Sequence, residues 1–222
     1  VLKDINMSMQ QSRITCVMGR NGVGKTTLMK NIIGLLRSSS GSVILGETDV
    51  TELPANHRAK AGLGIVPQGR QIFPRLTVQE NLLVGLQARS DRCRTIPEEV
   101  YDLFPVLKTM GKRMGGDLSG GQQQRVGIGR AMALDADLML FDEPTSALDP
   151  EWVGEVLDLM RRVAEKQQTM LIVTHEIQFA REIADRIVFM DEGRIVEQGP
   201  PAELLDAPKD PRTQSFLRRV TG

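Results

Sequence analysis

The sequence predicts an α/β fold built on a mainly parallel sheet, with an inserted helical subdomain and a small antiparallel β portion. Three observations lead to this prediction. Short apolar runs, such as residues 138–141 and 170–173, have no polar face and therefore fit strands that are buried on both sides. Stretches with helical periodicity separate these runs. From residue 77 the period stays helical, and residues 77–114 contain no strand candidate.

Length and composition indicate one domain without a basic surface. We expect residues 1–222 to form a single domain, because a chain of this length suits one sizeable core. The formal net charge is zero, which argues against nucleic acid as the main partner. Cys16 and Cys93 lie far apart, so they match neither a metal site nor a disulfide framework and fit a reducing cytosol. No apolar run reaches the roughly 20 residues of a membrane span.

The N-terminal part holds two strand candidates and a helix. Residues 1–9 alternate apolar and polar side chains, which predicts a half-buried strand. Residues 14–18 predict a buried strand, and residues 28–36 predict a helix. A glycine-rich loop, residues 19–27, joins this strand to this helix. The order strand, glycine loop, helix is the context in which such a loop binds phosphate.

The glycine loop matches the pattern G-x-x-x-x-G-K-[ST] at Gly19, Gly24, Lys25 and Thr26. Its glycines let backbone N–H groups turn inward toward phosphate oxygens, and the following helix adds its positive dipole end. Lys25 is expected to reach the β- and γ-phosphates of a nucleoside triphosphate, and the Thr26 hydroxyl is expected to ligate Mg²⁺. The predicted nucleotide contacts are Gly19, Arg20, Asn21, Gly22, Val23, Gly24, Lys25, Thr26 and Thr27.

The next elements lead to a glutamine at a strand end. Residues 43–45 predict a short strand and a hairpin, and residues 52–61 predict a short helix. Residues 62–67 form an apolar run that predicts a further strand. Gln68 follows directly, so its amide is expected where that strand gives way to a loop.

The helical subdomain is predicted to cover approximately residues 77–134. Thr77 and Glu80 fit a capping box, and a second helix begins near Pro97. A third helix covers residues 123–133. A serine and two glycines precede it and describe a second anion-binding helix start. These residues are Ser119, Gly120 and Gly121.

The second half alternates apolar runs with helical stretches, as a parallel sheet requires. Asp142 and Glu143 end the run at residues 138–141, and the carboxyl end of a central strand is where such sheets bind ligands. Asp149 and Pro150 predict the N-cap and first turn of a long helix. The remaining predictions are a strand at 170–173 that ends at Thr174 and His175, a helix at 177–184, strands at 187–190 and 195–197, and a short helix at 202–205.

Four features at strand ends or helix starts suit one phosphate site. Asp142 is expected to hold Mg²⁺, since phosphoryl transfer needs a cation to neutralise the growing charge. Glu143, on the opposite face of an extended chain, is expected to point at an attacking water and act as general base. His175 is expected to contact the γ-phosphate or that water. Gln68 is a candidate for both the metal site and catalysis. With Asp142 and Glu143 counted as one pair, the glycine loop is the fourth feature.

Six motifs, in this order along the chain, resemble those of ATP-binding-cassette (ABC) ATPases. They are the Walker A loop at residues 19–26, the Q-loop at Gln68, the signature at residues 118–122, Walker B with its glutamate at residues 140–143, the D-loop at residues 146–149 and the H-switch at residues 174–175. The resemblance covers essentially the whole chain, and its signature is highly specific. It implies a P-loop NTPase of the ABC type that binds ATP and Mg²⁺ and hydrolyses ATP.

The same resemblance implies a head-to-tail dimer, with either an identical or a different second ABC subunit. Each ATP would lie between the Walker A loop of one subunit and the signature of the other. The residues implied to contact the partner's ATP are Ser119, Gly120, Gly121 and Gln122. Asp149 of the D-loop is a further implied nucleotide contact.

The closer resemblance changes along the chain. Up to about residue 117 the sequence looks like the ATPases of urea and branched-chain amino acid importers, and from about residue 141 like those of polar amino acid importers. From this we formulate the hypothesis of a chimera with its junction near the signature. The resemblance also implies transmembrane permease subunits as partners and a cytoplasmic position, peripheral on the inner face of the cell membrane. In the family that the sequence resembles, the permease docks between the Q-loop and the helical subdomain. Both lie in the first half of this chain, so we expect a permease of the urea or branched-chain type.

The sequence departs from the family pattern at its start. No aromatic residue lies between Val1 and Met18, although members usually place one, the A-loop, before Walker A. We therefore expect the N-terminal strand and the A-loop to be missing. Stacking of a base on an aromatic ring contributes roughly 1 to 3 kcal/mol, so ATP affinity should be reduced.

Two alternative functions stay open at this point. One is a soluble ABC ATPase that acts on macromolecular assemblies, although such proteins commonly carry coiled-coil insertions, a second cassette or basic extensions. The other is a chimeric domain that binds ATP without coupling to transport. Other residues are assigned structural roles: His57, Arg161 and Arg162 on solvated faces, and Trp152 as a surface or packing anchor.

Overall fold

The computed structural model describes residues 1–69, 71–89, 91–146 and 148–221. Arg70 and Ala147, which belong to the stretches that carry the family resemblance, lie outside the described residues.

Six strands form the main sheet within the described ranges, and a separate pair forms a small antiparallel sheet. The strands are β1 (Ile14–Met18), β2 (Ile44–Leu45), β3 (Thr48–Asp49), β4 (Leu63–Val66), β5 (Leu138–Asp142), β6 (Met170–Val173), β7 (Arg186–Asp191) and β8 (Arg194–Gly199). The main sheet has the order β4-β5-β6-β1-β7-β8 and is parallel except for the β7–β8 pair. The predicted class, a mainly parallel α/β sheet with a small antiparallel portion, is confirmed.

Helices connect the parallel strands. They are α1 (Lys25–Ile32), α2 (Ala55–Lys60), α3 (Val78–Leu86), α4 (Glu98–Leu103), α5 (Pro105–Thr109), α6 (Gly120–Ala133), α7 (Pro150–Glu165), α8 (Ile177–Ile183), α9 (Pro201–Asp206) and α10 (Pro211–Thr221). The elements from α3 to α6 lie along the chain between β4 and β5, where the sequence predicts helices. In the part of the chain that the structure describes, no helix is both long and apolar enough to span a membrane.

Two helices of this block, α3 and α6, begin with the same capping motif. At the start of α3, Thr77 accepts a hydrogen bond from the Glu80 N–H while the Glu80 carboxylate accepts one from the Thr77 N–H, so the predicted capping box is confirmed. At the start of α6, Ser119 and Gln122 form an equivalent box. The box begins α6 at Gly120, three residues before the predicted residue 123, because it satisfies first-turn donors that the glycines leave exposed.

The main sheet is buried on both faces. Cys16 and Met18 of β1 pack into one hydrophobic cluster, and Val17 between them packs into the other. The side chains of β5 alternate between the two clusters in the same way, with Phe141 on one face of the sheet and Leu140 on the opposite face. Burial on both sides explains why these runs contain no polar face. It also raises the pKa of the Cys16 thiol to about 12, since the thiolate is not solvated there.

The prediction of a strand at residues 1–9 is wrong. This segment alternates between exposed and half-buried residues, as the sequence pattern predicts, but it is not a strand in the structure. Leu2, Ile5 and Met7 pack against the second hydrophobic cluster, and the Lys3 N–H donates to the Gly193 carbonyl. The alternation therefore comes from side-chain packing on the core and not from pairing in a sheet.

Helix α1 starts at Lys25, before the predicted residue 28, because the glycine loop runs directly into it. Its C-terminal end is held by Arg58, which is 3% exposed. The Arg58 guanidinium donates to the carbonyls of Asn31 and Ile32, each at 2.8 Å, and to the carbonyl of Thr51. A buried guanidinium needs such acceptors, and here they fix the helix that follows the glycine loop.

Candidate functional site

A polar cavity of about 260 Å³ lies where three parallel strands end. The glycine loop follows β1, Gln68 follows β4 by two residues, and Glu143 follows β5. Because these strands are parallel, their carboxyl ends meet at one edge of the sheet. The lining residues are Asn21, Gly22, Gly24, Lys25, Thr26, Thr27, Gln68 and Glu143.

The glycine loop presents donors to this cavity. Gly24 is the N-cap of α1 and has φ 109°, in the left-handed region that favours glycine. It provides no side-chain cap, so the first-turn N–H groups of α1 face the cavity without a capping acceptor. Lys25 is 4% exposed, and its Nζ donates to the carbonyl oxygens of Gly19 and Arg20 at 2.8 and 2.9 Å. An anion in the cavity would meet a positive helix end and an ammonium group.

Glu143 is the point where the predicted site residues converge. Its Oε2 accepts a hydrogen bond of 2.9 Å from the Gln68 amide, and its Oε1 lies 3.1 Å from Nε2 of His175. The Lys25 Nζ lies 3.9 Å from the same Oε1. Since a carboxylate only accepts, Nε2 carries the hydrogen in the contact with His175. Three residues that are far apart in sequence thus surround one carboxylate.

The backbone at Glu143 differs from the prediction. We expected an extended chain whose alternation places Asp142 and Glu143 on opposite faces. Instead β5 ends at Asp142, and Glu143 has φ 47°, a left-handed conformation. Non-glycine residues in this region are uncommon and store strain, which occurs often at functional sites. The turn, rather than strand alternation, directs the carboxylate into the cavity.

Asp142 is buried behind the glycine loop. It is 3% exposed, and its Oδ1 accepts a hydrogen bond of 3.2 Å from the Thr26 hydroxyl. Burial raises the pKa of Asp142 above its ordinary value, against the lowering effect of the Thr26 hydrogen bond. Burial lowers the pKa of Lys25, and the charges of the nearby Glu143 and Asp142 offset part of this lowering. Lys25 and Asp142 therefore place desolvated opposite charges beside the glycine loop.

The signature residues and Asp149 are not among the residues that line this cavity. Ser119 is exposed, and its Oγ accepts from the Gln122 N–H while the Gln122 Oε1 accepts from the Ser119 N–H. Asp149 is the N-cap of α7 and Pro150 lies in its first turn, as predicted, although the Asp149 side chain makes no capping hydrogen bond. Among the described residues, no cluster of three or more His, Cys, Asp or Glu residues could hold a metal ion without other ligands.

Sequence reasoning missed two residues that hold the segment after Gln68. Asn81 is fully buried, and its side chain accepts from the Phe73 N–H and donates to the Phe73 carbonyl. Arg130 donates to the Gln71 carbonyl at 2.9 Å and lies over the Phe73 ring. A buried asparagine one turn into a capped helix is a local signal that could have identified the first contact. The second depends on residues far apart in sequence.

Arg162 is exposed, as the predicted solvated face requires, and Arg161 is half-buried, but both make contacts that the prediction did not include. Arg162 donates to the carbonyl oxygens of Asp102 and Leu103 at 2.9 and 3.0 Å and so joins α7 to the end of α4. Arg161 forms an ion pair with Glu182. Only the tertiary structure brings these acceptors next to α7.

Comparison with known proteins agrees with this geometry. The family described as "ABC transporter" matches residues 2–146. The glutamine transport ATP-binding protein GlnQ of Geobacillus stearothermophilus is 42% identical over 99% of this chain and 93% of its own length. The arginine transport ATP-binding protein ArtM of Bacillus subtilis (strain 168) is 40% identical, with the same coverage of both chains.

Solved structures show the same fold. A nucleotide-free ATP-binding cassette from an ABC transporter has a TM-score of 0.81 at 25% identity, covering 97% of this chain and 91% of that one. The ATP-binding cassette MJ0796, in a dimeric post-hydrolysis state bound to ADP and Pi, has a TM-score of 0.77 at 28% identity, covering 90% of each chain. With the family matched over most of the chain and relatives of about 40% identity over nearly all of it, this protein belongs to the ABC transporter family and is an ATPase.

Proposed function

We propose that this chain is the ATP-hydrolysing subunit of an importer, and that it drives uptake of amino acids through a membrane permease. The observation that carries the catalytic part is the convergence of Gln68, His175 and Lys25 on the Glu143 carboxylate beside the glycine loop. A carboxylate held beside a phosphate-binding loop is placed to accept a proton from an attacking water.

The glycine loop is proposed to cradle the phosphates of ATP. Backbone N–H groups of residues 19–27 and the start of α1 would donate to phosphate oxygens. The Lys25 ammonium, which donates to two carbonyl oxygens of its own loop, would exchange these for the β- and γ-phosphates. This exchange replaces neutral acceptors by charged ones, and charge-assisted hydrogen bonds are roughly twice as strong.

Glu143, His175 and Gln68 are proposed to act on the reacting water. Glu143 would take the water's proton as general base. His175 and Gln68 hold the two oxygens of that carboxylate and would orient both it and the γ-phosphate. All three follow the ends of strands, which are more rigid than long loops.

Thr26 and Asp142 fit a magnesium site. A hydroxyl and a buried carboxylate 3.2 Å apart beside a phosphate loop are oxygen ligands of the kind that Mg²⁺ takes together with substrate phosphates. Gln68 is proposed as a further ligand on the other side of the cavity. The bound cation would neutralise charge on the phosphates, and it would relieve the desolvation that raises the pKa of Asp142.

Replacement of Asp142 by asparagine is expected to separate stability from activity. Because burial raises the pKa of Asp142 in the folded chain, its ionised form destabilises the fold above the ordinary carboxyl pKa of about 4. The variant keeps an oxygen that can accept from Thr26 and should melt roughly 1–4 °C higher at pH 7 without nucleotide. This gain should vanish as the pH falls below about 4, where Asp142 is neutral in both states. Hydrolysis of ATP with Mg²⁺ should fall at least about a hundredfold.

Thermal unfolding from pH 3 to pH 8 and phosphate release would measure both effects. The matched control is Asp102→Asn, since Asp102 is exposed on α4. A variant that melts several degrees lower at pH 7, or that hydrolyses ATP like the parent, would contradict the assignment of Asp142.

A second subunit is proposed to complete the site. Ser119 is exposed and Gly120 half-buried at the start of α6, and neither they nor Gly121 line the cavity, so one chain does not bring both anion sites to one ATP. The Ser119 Oγ accepts from the Gln122 N–H, which leaves its O–H free to donate to a phosphate of the partner's ATP. The dimeric state of the related cassette MJ0796 supports this arrangement. Gln122 and Asp149 are proposed to lie at the same interface.

The relatives support amino acids as the transported class. GlnQ and ArtM are named for glutamine and arginine transport, and they match nearly the entire chain rather than one half. Three points stay predictions: uptake of urea, the resemblance of the first half to branched-chain importers, and a chimeric origin. In the proposed assembly the chain lies peripherally on the inner face of the cell membrane. The permease would contact the segment after Gln68 and the helices of the 77–134 block.

Reconstitution into proteoliposomes tests this proposal. The chain would be combined with a permease of a polar amino acid importer in one arm and of a branched-chain importer in the other. We expect ATP-dependent uptake of a radiolabelled amino acid in at least one arm, and none with the Glu143→Gln chain. ATP hydrolysis without uptake in either arm would reject the importer function while leaving the ATPase assignment intact.

A further inference from the structure

We propose that Trp152 is a positioning residue that fixes the first turn of α6, and with it Ser119 to Gly121, relative to the start of α7. The inference rests on the proposed function, because the first turn of α6 matters for catalysis only if it contacts the ATP of a second subunit. Trp152 is the single tryptophan of the chain.

The indole ring packs directly on the backbone of α6. A Cβ added at Gly121 would lie 2.8 Å from Cε3 of Trp152 and 2.9 Å from Cδ2, closer than real Cβ atoms come to such atoms. Gly121 is buried, and Trp152 is half-buried. The glycine is therefore required by packing within one chain, in addition to its proposed approach to phosphate.

A second pair of residues holds the same two helices one turn further along. The Arg125 guanidinium carbon lies 5.7 Å from the centroid of the Trp152 ring, and Arg125 forms an ion pair with Glu155. Gly121 and Arg125 are four residues apart on α6, while Trp152 and Glu155 are three apart on α7, so each pair occupies one face of its helix. Two contacts one turn apart fix the rotation of α6 about its axis as well as its distance from α7.

This contact joins two parts of the proposed dimer interface. Trp152 follows Asp149 by three residues, and α7 begins between them at Pro150. Ser119 is the N-cap of α6, two residues before Gly121. At its other end α7 is anchored separately, through Arg162 to the carbonyl oxygens near the end of α4. Loss of the indole should therefore release the start of α6 without detaching α7 from the helical block.

The nucleotide cavity of the same chain lies elsewhere. None of its lining residues belongs to α6 or α7. Trp152→Ala should thus leave ATP binding by a single chain within about twofold of the parent. It should impair only the step in which the first turn of α6 meets the ATP of a second subunit, where a displacement of about 1 Å can cost about a hundredfold.

The test compares Trp152→Ala, Trp152→Phe and Leu157→Ala in the full chain. Leu157→Ala is the control for lost packing, since Leu157 is a half-buried side chain of the same helix. Each variant is made alone and together with Glu143→Gln, which keeps bound ATP from being hydrolysed. The measurements are ATP binding by calorimetry, ATP-dependent dimerisation by sedimentation velocity, kcat and KM for hydrolysis, and the melting temperature.

We expect Trp152→Ala to lower kcat and to weaken ATP-dependent dimerisation, each by about tenfold to a hundredfold, with ATP binding unchanged. Trp152→Phe should restore most of the loss, because a smaller aromatic ring still packs on Gly121 and Arg125. Leu157→Ala should lower the melting temperature at least as much but dimerise like the parent.

If Trp152→Ala dimerises and turns over like Leu157→Ala, the positioning role is overturned and the proposed function stands. If the Glu143→Gln parent itself binds ATP but forms no dimer, the proposed head-to-tail arrangement fails and the inference fails with it. The two failures are distinguished by the parent chain alone.

Discussion

Lys25→Ala is expected to abolish ATP binding by the isolated chain, weakening it by roughly two to three orders of magnitude. The Lys25 ammonium is almost fully buried at the N-terminal end of α1, so solvent cannot replace its charge opposite the phosphates. The fold should survive, because burial lowers the pKa of Lys25 and the ammonium therefore stabilises the nucleotide-free chain little.

Calorimetric titration with ATP and thermal unfolding without ATP measure the two halves of this prediction. Lys30→Ala is the matched control, since Lys30 is an exposed lysine on the same helix. Its removal should change ATP affinity severalfold at most. Retention of near-parental ATP binding by Lys25→Ala would overturn the assignment of the glycine loop as the phosphate site.

Glu143→Gln should stop hydrolysis while sparing ATP binding. The amide has nearly the shape of the carboxylate and keeps hydrogen-bonding capacity toward Gln68 and His175, but it cannot accept a proton from water. General base catalysis contributes typically about 10²- to 10⁴-fold, so turnover should fall within that range. Binding should not weaken, because the substitution removes a negative charge 3.9 Å from Lys25, on the side where the phosphates enter.

Phosphate release at saturating ATP and Mg²⁺, together with calorimetric ATP binding, measures these effects. Glu151→Gln serves as control, since Glu151 is an exposed carboxylate in the first turn of α7. Equal turnover by Glu143→Gln and the parent chain would reject Glu143 as the general base.

Both variants act on residues that the sequence identifies without a structure. Lys25 lies in a motif whose residue types and spacing follow from what polyphosphate binding requires. Glu143 follows an apolar run that has no polar face, which marks a central strand and hence the ligand edge of the sheet. The capping of helices is also determined by neighbouring residues, and Thr77 and Glu80 form the predicted capping box. Such features depend on residues within one turn or one strand, so the sequence contains all the information that they need.

Other predictions were wrong or incomplete because one sequence pattern can have two physical causes. Residues 1–9 have strand-like alternation, yet it reflects packing on a core rather than pairing. Arg162 is exposed, as its pattern predicts, but the pattern does not show that two carbonyl oxygens of α4 accept its hydrogen bonds. Periodicity reports which side of an element is buried, and it does not identify the partner.

By itself, then, the sequence determined the parallel α/β class, the glycine loop and the strand ends at which Gln68, Asp142 and Glu143 stand. Tertiary structure alone decided how these groups meet. The left-handed turn at Glu143 and its contact with Gln68, 75 residues away, depend on β4 and β5 being neighbours in the sheet. The contact of Trp152 with Gly121 likewise depends on how α6 and α7 pack. Contacts between residues distant in sequence follow from the connections between elements, and no local pattern of side chains encodes them.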